Sequence, residues 1–244
     1  MSELANTEVR SRLEDILSRG LIYDIYYLEE ALSLEELIGR EAAKLNAASF
    51  SALFGSLQQI LRRALVLHAA RLFERHNTRF QIRSIPAAIA LLREQAEYLA
   101  IPQRLGMVKV LIAAGAKRDE IDSLAGPELT RFVAEFFDSK LRESHADGVE
   151  NARVLDALKT VRDKQVAHPE SIEASQLPQA TFAEIDQLLA LAKIFQDAVG
   201  FGYLGIVYEP TGGTFAARRS TTSLRRLLHQ AGIEVDNRPH LNLS

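Results

Sequence analysis

The chain has 244 residues, enough for one large domain or a domain with an appendage, and 47% of them are hydrophobic, ample for a core. It contains no cysteine, which excludes disulfides, thiolate nucleophiles and cysteine-ligated zinc or iron–sulfur centres. A formal net charge of -3 offers no global attraction to nucleic acid, so any RNA contact must come from a local basic surface.

The first residues are polar and charged (Ser2, Glu3, Asn6, Glu8, Arg10), unlike a signal peptide. No apolar run approaches the roughly 18 residues of a membrane span. A cytoplasmic protein with no membrane contact is the expectation.

Helical periodicity runs through nearly the whole chain. Leu13, Ile16 and Leu17 begin an apolar stripe that continues through Leu21, Ile25 and Leu28, with Gly20 placed to break or bend the helix. The next helix starts near Phe50. Its broad apolar face (Leu53, Phe54, Leu57, Leu61, Leu65, Leu72) predicts a central element touched on more than one side, ending near His76 and Asn77. Arg75 and His76 are then placed to favour the negative C-terminal dipole of that helix.

Pro86 after Ser84 and Ile85 predicts a helix start, with the helix running through Leu91, Leu92 and Leu99 to Ile101 and Pro102. Gly126 and Pro127 repeat the start signal for a helix carrying Leu129, Phe132, Val133, Phe136 and Phe137. Val154, Leu155, Leu158 and Val161 lead into Arg162, and Pro169 stops that helix at about His168. Thr181 to Glu184 reads as a capping box. It opens a helix through Val199, with Gly200 as the glycine after its end. Beyond Gly205 the pattern loosens. Val207 and Tyr208 read as a short extended piece. A basic amphipathic helix follows, with Leu224, Leu227 and Leu228 on one side and Arg218, Arg219, Arg225 and Arg226 among its charges.

Arg162 lies four residues after Leu158 and seven after Leu155, so it occupies an apolar-stripe position. A guanidinium there requires a partner: an internal carboxylate, another subunit or a ligand phosphate. His168 follows six residues later, about 120° away on an ideal helix. Pro169 disfavours helical geometry at His168 and frees it to turn back. An arginine fork grips phosphate oxygens and an imidazole moves protons, a combination suited to RNA cleavage. A plain solvated charge cluster fits the same spacing.

Arg162 and Asp163, followed after four residues by His168, resemble the signature of the HEPN superfamily. The stretch from Phe54 and Gly55 to Ala70, Arg71, Leu72, Phe73 and Glu74 resembles the central helix of its abortive-infection U-type branch. Ser84-Ile85-Pro86 and the helix after Thr181 fit that branch as well. The resemblance covers roughly residues 8 to 204.

It implies an all-α, HEPN-like helical bundle with additional helices, assigned to residues 1–205; the C-terminal basic tail, 206–244, lies outside the resemblance. It further implies a homodimer and a metal-independent endoribonuclease needing no cofactor, in phage defence or a toxin–antitoxin pair with an antitoxin or regulatory partner. Arg162 would bind the scissile phosphate, His168 would act as acid or base, and Asp163 would orient one of them. The 2′-hydroxyl would attack and leave a cyclic phosphate. The alternative within the resemblance is a non-catalytic module that binds RNA, a nucleotide or a protein partner. Where some nuclease members carry a tyrosine two residues after the histidine, this chain has Glu170.

Candidate binding residues are Lys164, the His68 and Arg71 pair, and Arg225 and Arg226 of the tail. His68 and Arg71 read either as a pair satisfied by a carboxylate or carbonyl, or as support for the Arg162 site. His145, His229 and His240 have no metal-like spacing, and there is no HExxH, P-loop or GxSxG motif, so no metal site is expected.

Overall fold

The computed structural model describes residues 2–77, 79–143, 150–167, 180–207 and 215–235. Every regular element among them is a helix, so the all-α expectation holds. Helix α1 (Ser2–Ile16) is not broken at Gly20. It passes through one π-helical turn, Leu17–Leu21, and continues as α2 (Ile22–Arg40). A Cβ on Gly20 would lie 2.5 Å from Arg83 Cβ, so only glycine admits the incoming Arg83 segment here.

A short α3 (Ala42–Ala47) leads to α4 (Ser51–Leu72). This helix ends about one turn before the predicted His76–Asn77. Phe73 leaves helical geometry and buries its ring, so Arg75 and His76 lie beyond the helix, exposed. They do not cap it; Arg75 instead meets Asp156 at 3.2 Å.

Next come α5 (Ile85–Glu94), α6 (Arg104–Ala113), α7 (Arg118–Asp122) and α8 (Pro127–Arg142). The predicted continuation of α5 to Leu99 is interrupted after Glu94 by a tight turn, Ala96–Tyr98, and Leu99 is extended. Helix α9 (Asn151–Val161) runs directly into a π-helical segment, Arg162–Ala167. Helix α10 (Phe182–Phe195) opens on the predicted capping box and runs into a second π-helical segment, Gln196–Leu204. Gly200 lies inside that segment and does not end it. The left-handed terminator is Gly205, at φ +70°. Finally α11 (Phe215–Gln230) is the basic helix. Leu228 is buried, but Leu227, placed by the sequence on the same side, is 58% exposed.

Helices α2 and α4 form the most extensive packed pair, with α10 and α11 covering α2 and α9 packed on α4. The predicted central role of α4 thus falls on the α2–α4 pair. Leu13, Ile16, Leu21, Ile25, Leu28, Leu65, Leu72, Leu188 and Phe195 are fully or almost fully buried in one continuous core. The acids of α2 key its neighbours in place: Arg62 of α4 donates to Glu35 at 2.8 Å, Lys193 of α10 to Glu29, and Ser220 of α11 to Glu30. Glu29 and Lys193 are both buried, and ions taken out of water persist only when paired in this way.

Candidate functional site

Helix α9 positions Arg162 by burying Val154, Ala157 and Leu158. Its start is tied by Asn151 Nδ2, which donates to the Lys140 carbonyl at 2.9 Å. Arg162 keeps the stripe position expected for it, with only 16% of its side chain exposed. The backbone then widens into the π-helical segment, a rare geometry frequently found at functional sites.

Two carboxylates hold the guanidinium. Nε and Nη2 lie 2.8 and 2.7 Å from Asp163 Oδ1, and Nη1 lies 3.3 Å from Glu74 Oε1. An internal carboxylate, one of the three partners open in the sequence, is thus in contact with it. Glu74 is in turn located by Ser84. The fully buried Ser84 hydroxyl accepts from the Ala87 N–H at the start of α5 and donates to the Glu74 carbonyl at 2.7 Å. The segment is further pinned to α1, where Arg12 donates to Gln81 and to the Ile82 carbonyl, and Arg83 to Asp15 at 2.9 Å. The Arg83 hydrogen bond holds the Asp15 carboxyl below its ordinary value despite the opposing effect of burial.

A second cluster lies between α2 and α4. The carboxylate of Asp24 is buried and faces two side chains of α4: His68 Nδ1 is 2.7 Å from one oxygen and Arg71 Nε is 3.4 Å from the other. The ring of Tyr27 stacks on His68, with centroids 5.1 Å apart. His68 and Arg71 are therefore satisfied by a carboxylate, one of the two readings open in the sequence.

The remaining predicted residues are placed apart. Lys164 is partly buried in the π-helical segment and makes contacts of its own. Arg226 is exposed on α11, whereas Arg225 turns inward, its Nε and Nη2 buried without a hydrogen-bond partner among the described residues. The main contact of α11 is with α2, while the Arg162 segment packs on α9 and α4. His168 and Glu170 lie outside the described residues, as do His145 and His240. Among the described residues no group of three or more histidines and acids is placed to hold a metal ion. No described helix is long and apolar enough to cross a membrane.

Sequence reasoning did not identify Glu74, Asp24 or Tyr27 as site residues. Asp24 carried a usable signal: it lies three residues after Leu21 and four before Leu28, on the buried stripe itself. Glu74 carried none that was local, since its partner is 88 residues away (162 − 74).

The AbiU2 family model of the HEPN proteins matches residues 7–211. No curated protein and no solved structure matches the chain.

Proposed function

The chain belongs to the AbiU2 family of HEPN proteins, and on that premise we propose that it is a metal-independent endoribonuclease of phage defence or a toxin–antitoxin system. The observation that carries this reading is the state of Arg162: a largely covered guanidinium on a π-helical segment, held in a fixed orientation, six residues before His168.

In this reading a scissile phosphate takes the place of Glu74 or Asp163 on the guanidinium. Both carboxylates are about two-fifths exposed, so either can turn into solvent as the phosphate arrives. The arginine fork then offers two parallel hydrogen bonds to phosphate oxygens and stabilises charge as it grows on phosphorus. His168 takes the proton from the 2′-hydroxyl or delivers one to the leaving 5′-oxygen. The 2′-oxygen bonds to phosphorus, the 5′-oxygen leaves, and a 2′,3′-cyclic phosphate remains. Asp163 orients Arg162. The active form is a homodimer, an antitoxin or regulatory protein restrains it, and it works in the cytoplasm.

The same pair of carboxylates favours a second reading. An arginine already neutralised by Glu74 and Asp163 suits a non-catalytic module that binds RNA, a nucleotide or a protein partner. One experiment separates the two: incubation of purified wild type and His168→Ala with mixed RNA in EDTA, followed by end-group analysis. Cleavage by wild type alone, leaving cyclic phosphate ends, supports the nuclease. Equal cleavage by both variants rejects His168 as the proton-transfer group, and no cleavage by either supports the binding module.

A further inference from the structure

We infer that the outer face of the Asp24–His68–Arg71 cluster, with Tyr27 and Tyr23, is a binding surface for single-stranded RNA, a proposal that rests on the RNA-directed reading above. The arrangement is built from the inside outward. Buried Asp24 spends one oxygen on His68 and the other on Arg71, so its charge is matched beneath the surface. His68, fixed at Nδ1, lies against the ring of Tyr27 with an interplanar angle of 26°. That stack holds an otherwise exposed aromatic ring in one orientation.

Tyr27 is nevertheless 53% exposed, and so is Tyr23, at 55%, one helical turn earlier on α2. Four residues of helix rise separate the two rings by about 6 Å along the axis. Exposed flat rings in a row beside a cation are the elements with which proteins bind unpaired bases and the intervening phosphates. Arg71 supplies the cation. Its Nε faces Asp24, its side chain is 52% exposed, and its terminal nitrogens make no hydrogen bond with any described residue. A duplex, whose bases are stacked on one another, offers no free face to Tyr27. The surface therefore selects single strands.

The test is equilibrium binding of the full chain to a fluorescein-labelled, mixed-sequence single-stranded RNA with 2′-O-methyl riboses, which blocks cleavage by the 2′-hydroxyl. Tyr27→Ala and Arg71→Ala are each expected to weaken binding by about five-fold or more, and Tyr27→Phe to bind as wild type. Arg71→Ala should also lower the salt dependence by about one phosphate contact. A duplex of the same length should compete poorly.

Absence of RNA binding by wild type overturns the proposal, as does equal binding by Tyr27→Ala with an unchanged melting temperature. A Tyr27→Ala chain that falls from dimer to monomer by light scattering while binding RNA equally well also overturns it, and assigns the surface to a second copy. The two readings fail separately. Tyr27-dependent binding by a chain that cleaves no RNA removes the nuclease and keeps the surface. Cleavage that depends on His168, without Tyr27-dependent binding, removes the surface alone.

Discussion

The Ser84 hydroxyl and the Glu74 carbonyl are joined by a 2.7 Å hydrogen bond, and the Glu74 side chain meets Arg162 at 3.3 Å. One buried serine thus does two things. It caps α5 through Ala87, and it locates the acid that holds the arginine of the candidate site. A helix start and a site residue are mechanically one unit.

Ser84→Ala removes the cap and leaves a covered carbonyl without its donor. The expected cost is about 1–3 kcal/mol. For a chain of this size each kcal/mol lowers the melting temperature by about 2–4 °C. An unchanged melting temperature by differential scanning calorimetry would show that the hydroxyl is not holding the segment.

If the chain is the proposed nuclease, His168→Ala is expected to reduce RNA cleavage by about 10²–10⁴, the usual contribution of one general acid or base, without lowering the melting temperature. Arg162→Lys keeps the charge but loses the planar fork, and should also reduce the rate. A single-turnover assay on a defined RNA gives both numbers. Full activity in Arg162→Lys would assign the arginine a purely structural role.

Glu184 gives a pH-dependent prediction. Burial pushes its carboxyl up, but the hydrogen bonds from the Thr181 backbone and side chain, together with Arg153, outweigh burial and hold it below its ordinary value. A carboxylate lowered in the folded state stabilises above its unfolded value, and that contribution is lost as pH falls through the folded value. Glu184→Gln should therefore be less stable than wild type at neutral pH, and the gap should close below about pH 4.5. Urea unfolding at both pH values measures this. A gap that stays constant with pH would mean that Glu184 carries no linked proton.

The tail offers a test of domain organisation. Ala217, Thr221 and Leu228 of α11 are buried, Ile233 joins the core cluster, and Lys44 donates to the Glu234 carbonyl. We propose that residues 1–205 form the folding unit and that the tail docks on it through 215–235. Truncation after Gly205 is then expected to leave a bundle that unfolds cooperatively, at a lower melting temperature. Loss of cooperative unfolding would make the tail integral to the fold.

Local spacing determined the longer helices, while α3, α6 and α7 were not read from it. The 3.6-residue stripe of Leu13, Ile16, Leu17, Leu21, Ile25 and Leu28, the Gly126–Pro127 start and the Thr181–Glu184 capping box are properties of neighbours, so they read directly from the chain. The same periodicity placed Arg162 on an apolar stripe and so required a partner for it. It missed the first π-helical turn, because the four-residue spacing from Leu17 to Leu21 to Ile25 suits an α-helix and a π-helical turn alike. It overran α4, because Phe73 continues that pattern while leaving the helix. Only the tertiary structure decided that Glu74 meets Arg162 and that Asp24 meets His68 and Arg71. Those partners lie on different elements, and no spacing along the chain encodes which acid meets which cation once two helices have packed.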